Sequence, residues 1–236
     1  MQTSARSGAK VHTEKNMRSI PVLYSLVFLL FLPLQYANNP ANYQDSGRIV
    51  NLDEQVRRFL DNHRGAWRDL NVPESDGQLL HDLIIEHKYT RALDIGTSTG
   101  HSAIWMAWAL SKTGGKLITI EINEQRYKTA LLNFKEAGLS DYIDARLADA
   151  HELVPRLAGP FDFVFSDADK GWYKNYLIAV LPKLETGGCF TAHNVSSHRG
   201  RGMREFLEYL ESLPNMETTI DRSSRAGISI SYKRSD

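Results

Sequence analysis

Cysteine is all but missing from this 236-residue chain, which carries only Cys189. No intramolecular disulfide can form, and the thiol sits in an apolar run where an inert core residue is expected. An excess of one charge is missing too. Twenty-eight basic residues face 28 acidic ones, so nothing in the balance steers the chain toward nucleic acid. Internal repeats and low-complexity tracts are absent. The glycine turn that follows the first apolar strand lacks the Gly-x-Gly-x-x-Gly spacing of dinucleotide sites and the Lys-Ser/Thr pair of a phosphate loop. A nicotinamide dehydrogenase is therefore disfavoured.

The apolar run at residues 20–34 is short for a membrane span of about 20 residues and has the length of a signal-peptide core. Lys10, Lys15 and Arg18 precede it, Pro21 and Pro33 bracket it, and Tyr36-Ala37 offers a cleavage site. Met17 as the start would leave a signal peptide with a very short basic head. No cysteine follows, which excludes a lipoprotein. Basic residues before the run, and almost none until Arg48 after it, place the following domain outside the cytoplasm. Export or membrane association is the expectation, and a cytoplasmic chain is its alternative. Residues 38–47 read as a linker. The chain thus divides into residues 1–45, a signal peptide or anchor with its linker, and residues 46–236, one α/β domain.

From residue 50 the pattern alternates. Leu52, Val56, Phe59, Leu60, His63 and Trp67 recur at helical spacing up to Leu70. Val72-Pro73 breaks that helix. A second spans residues 78–86, with Ser75 or Asp76 as its cap. Strands are predicted at 91–95, 116–121, 143–147, 161–166, 187–192 and 227–232, and helices at 101–112, 124–137, 151–157, 172–184 and 202–212. Strands separated by helices mean a mostly parallel sheet with helices on both faces, joined by right-handed crossovers.

Ligands in such sheets bind at the carboxyl ends of the strands. Those ends carry Asp94, Glu121, Asp149, Asp167 and His193-Asn194. The first runs Asp94-Ile-Gly96-Thr-Ser-Thr-Gly100-His-Ser102, a strand, a tight turn and a helix start. Glycine there admits positive φ and a close ligand, and the first N–H groups of the helix face it. Glu121, one βαβ unit later, can accept both hydroxyls of a ribose, or can cap a helix. The stretch Asp167-Ala-Asp169-Lys170 ends another strand in two carboxylates and a lysine. Together with His193 and Asn194 it could hold a divalent cation, with Lys170 as a base. A solvated turn is the plainer alternative.

Several stretches together resemble the cation-dependent O-methyltransferases, the class I S-adenosylmethionine-dependent group that holds the catechol and caffeoyl-CoA enzymes and their small bacterial relatives. They are Val72-Pro-Glu-Ser-Asp-Gly-Gln, Leu93-Asp-Ile-Gly-Thr-Ser-Thr-Gly-His-Ser, Thr119-Ile-Glu-Ile, Ser166-Asp-Ala-Asp-Lys and Ala192-His-Asn-Val. The likeness runs from about residue 50 to residue 195 and implies a Rossmann-like methyltransferase fold. It also implies that Val72, Asp94, Gly96, Gly100, Ser102, Glu121, Asp149, Ala150 and Asp169 surround S-adenosyl-L-methionine. Asp167 and Asn194 would ligate the metal, and Lys170 would be the base.

One position departs from that pattern, because the resemblance implies Asp-Asn where this chain has His193-Asn194. Imidazole favours later transition metals and Mg²⁺ prefers oxygen. The expected set is therefore Asp167, His193 and Asn194, with Mg, Mn or a later metal. Three arginines, Arg199, Arg201 and Arg204, follow the same strand and would either greet an anionic acceptor or be solvated. The expected reaction is methyl transfer to a hydroxyl of a small catechol-like or phenolic acceptor. Its rivals are a metal-independent transfer to nitrogen or carboxylate on the same fold, and a non-catalytic cofactor-binding module. Expected partners are the small acceptor, a membrane through residues 20–34 and a second copy of the chain in a homodimer. Nucleic acid is not among them.

Overall fold

The computed structural model describes residues 51–236. The apolar run 20–34, its basic head and the linker 38–47 lie outside the described residues. Among the described residues no helix is long and apolar enough to cross a membrane.

Helix α1 spans Leu52–Asn62, where the Asn51 side chain accepts from Asp53 N at 3.1 Å and caps the first turn. It stops well before Leu70, and the chain from Asp69 to Leu70 runs through left-handed φ values of 61° and 65°, which no α-helix accommodates. Helix α2, Glu74–His87, starts four residues earlier than its apolar pattern. Pro73 holds the N-cap position and no side chain caps it. Ser75 and Asp76 thus lie inside the first turn instead of capping it, and Asp76 is buried.

Then follow β1 Arg91–Ile95, α3 His101–Thr113, β2 Lys116–Glu121, α4 Glu124–Glu136, β3 Ile143–Leu147, α5 Ala150–Leu153, β4 Phe161–Ser166, α6 Tyr173–Val180, β5 Leu184–His193, α7 Arg201–Glu211, β6 Met216–Asp221 and β7 Ile228–Lys233. Short 3₁₀ turns at 154–156 and 181–183 finish the stretches that the sequence reads as continuous helices. Strand β6 is absent from the sequence expectation. It is an edge strand with polar Glu217, Thr218 and Thr219, and its side chains are half-buried or exposed.

The seven strands lie in the order β3-β2-β1-β4-β5-β7-β6. The first five are parallel, and β7 runs antiparallel to both β5 and β6. Alternation along each strand feeds two cores. Ala92, Phe163, Phe165 and Cys189 pack with residues of α1 to α4. Leu93, Ile95, Val164 and Phe190 pack on the other face with residues of α5 to α7. Strand order reverses direction between β1 and β4, the point where open α/β sheets leave a crevice.

At the opposite end of the same strands a buried carboxylate ties β4 to the entry of β1. Asp162 on β4 accepts Thr90 N at 2.7 Å, Thr90 Oγ1 at 3.0 Å and Arg91 N at 2.8 Å. Removing it orphans two backbone N–H groups at the entry to β1. Asp162→Ala is expected to lower the unfolding free energy by roughly 2–4 kcal/mol in a urea titration. An unchanged midpoint would show that the tie carries no stability.

Candidate active site

A cavity of about 430 Å³ opens over the carboxyl ends of β1, β2, β4 and β5. Gly96, Glu121, Asp149, Ala150, Asp167, Asp169, Lys170, His193 and Asn194 line it, so the structure gathers nine of the residues picked from the sequence. Gly96 is indispensable in its place. Its φ is +112°, and a Cβ there would come within 3.0 Å of the Asp167–Ala168 backbone. That close approach of two strand ends forms the floor.

Four expected cavity residues do not line it. Val72 is buried, and its carbonyl takes a hydrogen bond from His101 Nδ1 at 2.9 Å. Trp105 Nε1 donates to the opposite nitrogen of the same ring at 3.0 Å, and burial pushes His101 down to about 4, so the neutral ring staples this loop to α3. Gly100 serves packing, since a Cβ would stand 2.6 Å from the Phe134 ring. Asp94 is wholly buried beneath the floor. Its Oδ2 accepts Thr119 Oγ1 at 2.9 Å and Ser102 Oγ at 3.3 Å, which spends Ser102 as well. Burial pushes the Asp94 carboxyl up to about 8, against the Thr119 bond and with the charges of Asp167 and Glu121 adding to the rise. Its Oδ1 has no hydrogen-bond partner among the described residues.

Glu121 is held in place by backbone. Ser98 N donates to Oε2 at 2.7 Å and Asn123 N to Oε1 at 2.8 Å. Asp149 caps α5 by accepting His151 N at 2.9 Å, so it builds the wall as well as lining it. His151 stacks on Trp172 with ring centres 3.9 Å apart. Leu70, Asn71, Ser98, Ile122, Arg126, His151 and Tyr176 also line the cavity, and sequence reasoning missed them. Ile122 carried a signal: an apolar residue directly after the Glu121 strand end, 67% exposed. Arg126 forms a 2.8 Å ion pair with Asp69 at the rim. Only the fold brings these two together.

At the far end Lys170 Nζ stands 2.6 Å from Asp167 Oδ1 and 2.9 Å from the Asp167 carbonyl oxygen. His193 lies on the other side of the same oxygen, its Nδ1 at 3.2 Å, ion-pair distance but off the line of a hydrogen bond. Its Nε2 is 2.8 Å from Asp76 Oδ2, and Ser224 Oγ donates to that oxygen at 2.9 Å. Asp76 was read from the sequence only as a helix cap. It enters the site because α2 begins at Glu74.

These residues do not fit the divalent cation expected at Asp167, His193 and Asn194. Burial disfavours a charged His193 ring, but the carboxylates of Asp167 and Asp76 outweigh it and push the ring up to about 9. A ring charged in this way gives a metal no lone pair until it releases its proton. Lys170 already occupies the Asp167 oxygen nearest the ring. Among the described residues no three His, Cys, Asp or Glu side chains group as a metal site.

Both raised groups act on stability with the same sign. His193 gains proton affinity on folding, so its contribution is complete below its ordinary 6.5 and fades as pH rises through about 9. Asp94 is protonated in the folded chain up to about 8 but ionised above 3.8 once unfolded, so the folded state again loses ground as pH rises. The ligand-free chain is expected to become less stable in urea titrations from about pH 6 to about pH 9, and Asp94→Asn to flatten the lower part of that fall. A rise in stability over this range would contradict the assigned protonation states.

A family model described as O-methyltransferase matches residues 45–203. The chain is 36% identical over 130 residues to a catechol O-methyltransferase of Niastella koreensis, a stretch covering 53% of this chain and 58% of that one. It is 32% identical over 140 residues to caffeoyl-CoA O-methyltransferase 1 of Eucalyptus globulus, covering 57% and 56%. The chain thus spans somewhat more than half the length of these curated relatives. Among solved structures, the O-methyltransferase TomG of Streptomyces achromogenes, in complex with SAM, superposes with a TM-score of 0.65 at 28% identity, over 80% of this chain and 94% of that one. An O-methyltransferase of Bacillus cereus in complex with SAH gives 0.66 at 25% identity, over 80% and 94%. With its model matching well over half of the residues, the chain belongs to the O-methyltransferase family.

Proposed function

We propose that this chain is an S-adenosylmethionine-dependent O-methyltransferase acting on a hydroxyl of a small catechol-like or phenolic molecule. The observation that carries this reading is the pairing of Lys170 with Asp167 in the same cavity as Glu121. One end of the cavity offers a fixed carboxylate for a ribose, and the other offers a group that can hold a proton. TomG, the solved relative in complex with SAM, supports the choice of donor.

The residues present fit that donor. Glu121, pinned by Ser98 N and Asn123 N, keeps lone pairs for two ribose hydroxyls. Ile122 and the Ala148–Ala150 wall give an adenine apolar surface. Asp167 and Asp169 sit at the end where a cation would lie. When bound, S-adenosylmethionine supplies a methyl group already activated on a sulfonium, so the chain has chiefly to align an oxygen with it. Transfer would join the acceptor oxygen to that methyl carbon, with the electron pair of the broken sulfur–carbon bond left on the donor sulfur. The hydroxyl proton passes to Lys170 Nζ in its amine form, while Asp167 fixes the position of that nitrogen.

The test is incubation of the full chain with methyl-labelled S-adenosylmethionine and a panel of catechols, phenols, amines and carboxylic acids, with products identified by mass spectrometry. Methyl ethers are expected. Lys170→Ala should lower turnover by roughly 10²- to 10⁴-fold and leave donor binding intact. Glu121→Ala should weaken donor binding in calorimetry by the loss of charge-assisted bonds worth roughly 1.5–3 kcal/mol each. Methylated amines or esters would replace this reading with transfer to nitrogen or carboxylate. Donor binding without any product would reduce the chain to a binding module.

A further inference from the structure

Beside Asp167, where the family resemblance implies an aspartate as a further metal ligand, this chain places the His193 ring. Asp76 and Asp167 flank that ring, one at 2.8 Å from Nε2 and the other at 3.2 Å from Nδ1. Lys170 approaches the same Asp167 oxygen at 2.6 Å. The ring and the lysine nitrogen thus crowd one Asp167 oxygen from two sides. The His193 and Asp76 side chains are 6% and 1% exposed, so an added double charge would stand largely out of reach of water, where uncompensated charge is costly. The arrangement is held from two distant segments. Asp76 comes from the first turn of α2, and Ser224, in the connection between β6 and β7, donates to its Oδ2 at 2.9 Å.

We propose that the chain of contacts Asp76–His193–Asp167–Lys170 takes the place of a divalent cation in this protein, so that methyl transfer proceeds without a metal and Asp76 acts as a positioning residue. The proposal rests on the methyl-transfer reading above. Asp76 touches neither substrate, since it does not line the cavity. It holds the ring through Nε2, the ring stands 3.2 Å from Asp167 Oδ1, and Asp167 fixes the nitrogen that receives the proton. A consequence for the acceptor follows. A metal rewards two adjacent hydroxyls that chelate it, whereas a lysine nitrogen needs only one. A phenol with a single hydroxyl is therefore methylated about as well as its catechol counterpart.

The full chain is dialysed against EDTA, assayed for bound metal by plasma mass spectrometry, and titrated with Mn²⁺ under electron paramagnetic resonance, with methyl transfer measured in parallel. Expected are no stoichiometric metal, no bound-Mn²⁺ signal and undiminished turnover after chelation. His193→Asp exposes two carboxylates without the ring and should acquire a bound-Mn²⁺ signal. Asp76→Asn should lower kcat on the order of 100-fold with the KM for S-adenosylmethionine little changed, and Asp76→Glu should recover part of the loss. One Mn²⁺ bound per native chain, with turnover abolished by EDTA and restored by Mn²⁺, would overturn the proposal. So would a catechol preference lost on chelation. If no acceptor is methylated, the proposed function falls, and the Mn²⁺ titration of the native chain alone then decides whether the cluster excludes a metal.

Discussion

Parallel strands that reverse order at β1 and β4 deliver their last residues to one crevice, and in this chain those residues are acidic. Asp94, Glu121, Asp167 and Asp169 gather within a few side-chain lengths, and burial, with the charges of Asp167 and Glu121 adding to it, drives Asp94 to a protonated state up to about pH 8. Carboxylates so confined repel one another and lose water. The structure answers with backbone N–H groups on Glu121, hydroxyls on Asp94, and the His193 ring and Lys170 nitrogen on Asp167.

The same constraint explains why so few residues there are free to vary in shape. Gly96 keeps two strand ends nearly in contact. Asp149 shapes the wall by capping α5, and Trp172 backs His151. The buried ring of His101 joins the Val72 loop to α3, so this neutral histidine is structural while the other buried one, His193, is charged. The two differ only in their neighbours: a carbonyl and an indole on one, two carboxylates on the other.

The strand ends were legible in the sequence because each closes an apolar run with a polar residue, and β1 to β4 fall where the runs place them. The family likeness adds the donor and the base. Legibility failed where one residue type serves two purposes. Gly100, Asp94 and Ser102 read as cofactor contacts, while in the ligand-free chain Gly100 makes room for Phe134 and Asp94 bonds Ser102 beneath the cavity. Pro73 starts α2 earlier than its apolar period shows, which hid Asp76, and the polar edge strand β6 has no pattern of its own. The pairing of Asp76 with His193 joins residues 117 positions apart, and no local spacing records it.

The most direct test of the account is a structure of the full chain with S-adenosylhomocysteine bound. The account predicts ribose hydroxyls on Glu121, adenine beside Ile122, and the sulfur turned toward Asp167 and Lys170. A nucleoside bound in the opposite sense, with adenine against Lys170, or one seated outside this cavity, would contradict it.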